Sequence, residues 1–212
     1  AGTEEPVLFT VREDFSLGSS SNAWGPVNVN ADWNVLVANG KTLNVYGALN
    51  SSGRTITVGG EGFSGTLVLN NAANASMTAE WVITSGSTVR CMNNSALGSG
   101  LVTLDGGTLD FNSQTIGSTI TLNMSGTGTL QNVTVDGAIL SYTSSSGNDG
   151  ITASNTTWTS GKIDIGRLLQ GFSAEGSNTV DLGAELGEGF SVLGLDPGQY
   201  RIEGSVLTIE DG

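Results

Sequence analysis

Few side chains here can do chemistry, and histidine is not among them. Without imidazole there is no Ser-His-Asp or Cys-His relay and no His-ligated zinc or iron site. A single thiol, Cys91, cannot build a thiolate cluster. No metal ligand set and no cofactor is therefore expected. Carboxylates and scattered cations remain. A glycoside hydrolase needs two carboxyl groups about 5–9.5 Å apart across one groove, and the central part of the chain offers Asp105, Asp110 and Asp136. Asp105 and Asp136 each precede a glycine, where aspartate is an ordinary turn residue. Asp110 alternates with Leu109 and Phe111, so period-2 reasoning turns it to solvent. A lyase acting on acidic polysaccharides needs an Arg or Lys base with cationic help, but Arg12, Lys41, Arg54, Arg90, Lys162, Arg167 and Arg201 are dispersed along the sequence. No residue is assigned a catalytic role.

Aromatic rings are the other chemistry available, because an exposed row of them can stack on sugars. Trp33 lies in Asp-Trp-Asn-Val-Leu-Val and Trp81 in Glu-Trp-Val-Ile, both strand-like contexts that favour burial. Trp24 is the third. Trp158, within the Ser/Thr-rich stretch 152–160, is the one expected to be exposed and the single candidate glycan-binding residue. Cys91 follows Ser-Thr-Val-Arg and reads as a buried, inert strand residue, with Arg90 pointing to the opposite face. Gly59-Gly60-Glu61-Gly62-Phe63-Ser64 resembles a calcium-binding nonapeptide, but Ser64 stands where the ligating Asp would be, so it reads as a turn. Asp181, Glu185, Glu188, Asp196, Glu210 and Asp211 read as a solvated acidic face.

Seven Lys and Arg against twenty Asp and Glu give a formal charge of −13. Such a surface repels nucleic-acid phosphates and anionic membranes and tolerates neutral sugars. No apolar run approaches the ~20 residues of a membrane-spanning helix, so no membrane insertion is expected. Scarcity of cysteine fits a bacterial exported protein better than a disulfide-rich domain.

These residues must be positioned by short extended segments. Val/Ile/Thr-rich or alternating runs recur at 42–46, 55–58, 66–69, 81–84, 88–92, 101–104, 108–111, 119–123, 129–133, 138–142 and 162–165. Asn39-Gly40, Gly59-Gly60, Asp105-Gly106-Gly107, Ser125-Gly126 and Asp136-Gly137 punctuate them. The best helical candidate, 166–171, is too short to argue for. Turn–strand units every ~10–13 residues suit either a β-solenoid or an antiparallel β-sandwich. The solenoid is preferred because Gly-Thr-Leu opens the runs at 65, 107 and 128, as expected of stacked, similar coils.

The segment Asn94-Ser-Ala-Leu-Gly-Ser-Gly-Leu-Val-Thr-Leu-Asp-Gly-Gly-Thr-Leu-Asp110 resembles the autotransporter-associated β-strand repeat, also called the passenger-associated transport repeat. One such repeat covers about residues 65–111, with degenerate copies on either side. The resemblance implies a right-handed parallel β-helix on a bacterial surface or secreted protein, and no catalytic residues, because the repeat is a scaffold. Leu97, Val102, Leu104, Leu109 and Phe111 are expected to point inward. A translocator barrel, part of the autotransporter pattern, is not seen in the sequence. The expected organisation is an N-terminal cap or leading strands over 1–24, β-helix rungs over 25–178 and a small β cap over 179–212. The expected function is a non-catalytic structural or adhesive segment at the bacterial cell surface or outside the cell. The alternatives are a glycan-binding module for host or self glycans and a polysaccharide lyase or glycoside hydrolase. Weak self-association through the rungs is also expected.

Overall fold

A computed structural model describes residues 5–22, 25–70, 72–84, 86–124, 128–142, 151–164, 178–181, 186 and 188–209. The helical candidate at 166–171, together with Trp24, Arg167, Glu185, Glu210 and Asp211, lies outside the described residues. The chain forms β1 (Val7–Val11), β2 (Phe15–Leu17), β3 (Val27–Val29), β4 (Trp33–Val37), β5 (Thr42–Val45) and β6 (Leu49–Val58). Next come β7 (Thr66–Leu69), a 3-10 turn (Ala72–Ser76), β8 (Thr78–Thr84), β9 (Thr88–Cys91), β10 (Gly100–Asp105), β11 (Thr108–Ile116) and β12 (Ile120–Met124). The rest is β13 (Gly128–Tyr142), β14 (Ile151–Asp164), β15 (Asn178–Asp181), β16 (Gly189–Val192), β17 (Tyr200–Glu203) and β18 (Val206–Ile209).

The protein is an all-β solenoid. From β1 to β14, and on to β16, every strand pairing is parallel, which removes the sandwich alternative. Parallel strands cannot be joined by hairpins, so the chain must travel around the coil before returning. One face stacks β2, β5, β7, β9, β11 and the first parts of β13 and β14. Its register puts Thr42, Thr66, Thr88, Thr108, Thr129 and Thr152 in one column, with Leu43, Leu67, Val89, Leu109, Leu130 and Ala153 beside it. The three Gly-Thr-Leu units therefore lie above one another. From Thr42 to Thr152 a coil on this face takes between 20 residues (Thr88 to Thr108) and 24 (Thr42 to Thr66), about two of the turn–strand units seen in the sequence, and the first coil on this face, Phe15 to Leu43, takes 28.

A second face stacks β1, β4, β6, β8, β10, β12, the ends of β13 and β14, and β16. Val7, Trp33, Ile56, Trp81, Val102, Leu122, Leu140, Ile163 and Val192 form its inner column. Nine strands at ~4.8 Å spacing make this column about 38 Å tall. Leu97, Val102, Leu104, Leu109 and Phe111 are all buried, as their spacing requires.

The glycine of each Gly-Thr-Leu unit is needed because the backbone passes close to the previous coil. A Cβ on Gly65 would lie 2.8 Å from the Lys41 carbonyl oxygen, one on Gly107 2.6 Å from that of Ile83, and one on Gly128 2.5 Å from Leu104 Cβ. The constraint is steric crowding at the corner rather than a positive φ.

At the C-terminal end β15, β18 and β17 form a small antiparallel sheet, and Leu207 joins the common core. β16, which the sequence groups with this cap, pairs in parallel with β14 and continues the stack.

Candidate functional site

The third face is the irregular one. In the first two coils β3 pairs with the start of β6, Val27 to Leu49, Asn28 to Asn50 and Val29 to Ser51. In the next coil a 3-10 turn replaces the strand. Backbone groups that would have paired there need other partners. The buried Asn74 supplies them, accepting from the Leu49 N–H at 2.7 Å and donating through Nδ2 to the Ala96 carbonyl at 2.7 Å. One side chain thereby ties three coils together.

Between β3, the middle of β6 and the end of the 3-10 turn lies a polar cleft of about 450 Å³. Asn28, Asn30, Asn50, Ser51, Ser52, Arg54 and Ser76 line it, with Val29 and Met77 at its base. None of these residues is acidic, although the chain carries −13. The pairing of β6 with β8 slips between Ser52 and Arg54, and Gly53 between them has φ +63°. This is a bulge, and bulges re-aim side chains. Asn50 Nδ2 donates to Asn28 Oδ1 at 3.3 Å. Ser51 Oγ is buried beside Val29 with no hydrogen-bond partner in the chain. A buried hydroxyl in that state costs about 1–3 kcal/mol. Sequence reasoning missed this cleft. Its one signal is the polar run Asn50-Ser-Ser-Gly-Arg54, which interrupts the apolar alternation between Leu49 and Ile56.

The residues singled out from the sequence lie elsewhere. Trp158, expected to be exposed, is buried at 8% exposure. It extends an inner column of Ile116 and Val135 on the third face, so it fills core and cannot stack on a sugar. Trp81 is fully buried and its Nε1–H donates to the Leu97 carbonyl at 3.1 Å. Trp33 is partly buried and, with Phe9 and Trp81, lines a wholly apolar cavity of about 230 Å³.

Asp110, expected to face solvent, is 3% exposed. It lies beside an abrupt corner where Asn112 and Ser113 adopt φ +47° and +64°. Arg90 on the preceding coil covers it, with Nε 2.9 Å from Oδ2. Oδ1 accepts from the Asn112 N–H at 2.9 Å and from Asn132 Nδ2 at 3.0 Å. Asn132 Oδ1 accepts in turn from Asn155 Nδ2 at 2.9 Å. Asn132 and Asn155 both hold left-handed backbone, φ +53° and +49°, so the ladder runs along a stacked corner. Burial pushes the Asp110 carboxyl up, but the donors Asn132, Asn112, Arg90 and Gln131 outweigh it and hold it below its ordinary value. Its partners are amides and a guanidinium, so the carboxylate is placed as a corner clamp rather than as half of a carboxylate pair.

Asp105 and Asp136 are both exposed, and Asp136 Oδ1 accepts from Ser160 Oγ at 2.6 Å. Cys91 is fully buried, and burial pushes its thiol far up, with the Asp110 charge adding to the effect. Gly60 and Phe63 close a tight turn, with the Phe63 N–H donating to the Gly60 carbonyl at 2.9 Å. Of the C-terminal acids described with side chains, Glu188 and Asp196 are exposed. Among the described residues no helix is long and apolar enough to cross a membrane. No family model, no curated protein and no solved structure matches this chain.

Proposed function

We propose that this chain is a non-catalytic structural segment of a bacterial surface or secreted protein of autotransporter-passenger type, working as a rigid spacer outside the cell. The observation that supports this is the inner column from Val7 to Val192, nine residues that continue from coil to coil without a polar break. Stacked β-branched and aliphatic residues on a parallel ladder resist bending, because each coil is bonded along its length to the next. The ion pair nearest to an enzyme-like cluster, Arg90 with Asp110, is engaged in holding a corner. The test is a panel of soluble and insoluble polysaccharides and mucin glycans incubated with the chain and assayed for released sugar ends. No release is expected. Release that disappears in Asp110→Asn would overturn the non-catalytic reading in favour of a lyase or hydrolase.

Weak self-association belongs to the same proposal. The first coil leaves Val7, Leu8 and Phe15 46%, 63% and 47% exposed. Sedimentation velocity over a concentration series tests it, and a constant coefficient would remove it.

A further inference from the structure

Buried amide nitrogens without a partner also occur at Asn70 and Asn93, away from the cleft. The cleft on the third face is set apart by combining three features: a bulge at Gly53, a buried hydroxyl at Ser51 without a partner, and a run of outward amides and hydroxyls. A local break in the rules with no structural compensation is where a binding function is expected. We propose that this cleft, built by Asn28, Asn30, Asn50, Ser51, Ser52 and Arg54 across the first two coils, binds a neutral, hydroxyl-rich carbohydrate.

The chemistry of the lining carries the choice of ligand. Asparagine side chains each offer a donor and an acceptor, and serine hydroxyls offer both, which matches the paired donor and acceptor character of sugar hydroxyls. The bond from Asn50 Nδ2 to Asn28 Oδ1 fixes both amides and leaves the Asn28 nitrogen and the Asn50 oxygen for a ligand. The formal charge of −13 disfavours an anionic sugar at long range. Recognition here is by hydrogen bonding in a shallow polar groove, not by the aromatic platform that the tryptophans suggested.

The site is separable from the scaffold. A chain that binds but releases no sugar ends satisfies both readings. A chain that binds nothing loses the site alone, and one that cleaves loses the scaffold reading alone. The test is an NMR titration of the isotope-labelled full chain with cello-, xylo-, manno- and malto-oligosaccharides, with oligogalacturonate and sialyllactose as acidic arms. At least one neutral oligosaccharide is expected to shift the amides of 28–30, 50–54 and 76–77. Asn50→Ala and Ser52→Ala, both at exposed positions, are expected to weaken that binding about tenfold each without lowering the Tm. Ser51→Ala is expected to weaken binding while raising the Tm, because it removes the unpartnered hydroxyl. A merely structural Ser51 would lower the Tm and leave binding alone. The proposal is overturned if no neutral oligosaccharide shifts these amides, if the shifts fall elsewhere, or if the acidic sugars bind more tightly than the neutral ones.

Discussion

Replacing Asp110 tests the corner clamp most directly. Asp110→Ala strips the acceptor from Arg90 Nε at 2.9 Å, the Asn112 N–H at 2.9 Å and Asn132 Nδ2 at 3.0 Å, and from the Gln131 side chain. A hydrogen bond to a charged group contributes about 1.5–3 kcal/mol. The sum is discounted because the Arg90 side chain is 45% exposed and rehydrates when released. A net loss of about 2–4 kcal/mol follows. For a chain of this length that corresponds to a drop in Tm of about 5–12 °C. Asp110→Asn keeps an acceptor but loses the charge, so its loss is smaller, about 1–2 kcal/mol. The pH dependence has a definite sign. The folded carboxyl is held below its ordinary 3.8, so its contribution is complete above the unfolded value and is lost as pH falls through the folded one. The gap in Tm between the parent and Asp110→Asn should therefore be widest near neutrality and close in acid. The assay is thermal melting by circular dichroism from neutral to acid pH, with hydrogen exchange over 108–135, because coils in a stack can open locally. An Ala variant that melts with the parent at neutral pH, or a parent–Asn gap unchanged in acid, would refute the clamp.

Three further outcomes are expected. Asn74→Ala leaves the Leu49 N–H and the Ala96 carbonyl without their partner and should cost about 2–4 kcal/mol in a denaturant melt. A variant as stable as the parent would mean that the three-coil tie is dispensable. Trp158→Ala opens a cavity in the column above and should cost about 3–5 kcal/mol while leaving carbohydrate binding, where present, unchanged; lost binding with a normal Tm would restore an exposed role for Trp158. Native Cys91 should resist a thiol reagent and react at once in denaturant, since its thiol is buried and pushed upward. Rapid native labelling would contradict its place in the core.

Strand positions and the inward set of Leu and Val residues were legible because the period-2 pattern is local. Thr66–Leu69 matches the expected run residue for residue, and the remaining described runs lie on or within a residue of observed strands. What sequence reasoning could not reach lies at corners. Alternation puts Leu109 inward and Asp110 outward, but two left-handed residues at 112 and 113 fold the chain back, and Arg90 from the preceding coil covers the carboxylate. Trp158 was misread for a related reason. Its sequence neighbours are serine and threonine, but its spatial neighbour is Val135, 158 − 135 = 23 positions earlier. In a stacked coil, burial is decided a full turn away, and local composition is a poor guide to it.

The same geometry explains why the cleft and the columns occupy different faces. On the first two faces each inward residue is packed between like residues above and below, so a polar substitution there would be felt by two neighbouring coils. On the third face the 3-10 turn interrupts the ladder, and Asn74 holds the coils together without a continuous row of strands. That leaves room for the bulge at Gly53 and for the outward amides of Asn28 and Asn50. A rigid stack thus gives fixed relative positions to side chains on successive coils, the condition a shallow, hydrogen-bonding site needs because it has no deep pocket to order its ligand. The regular faces set the geometry, and the irregular one is free to vary. Substitutions among Asn30, Ser52 and Ser76 should change ligand preference with little effect on folding, whereas Asn74, beside them, belongs to the frame.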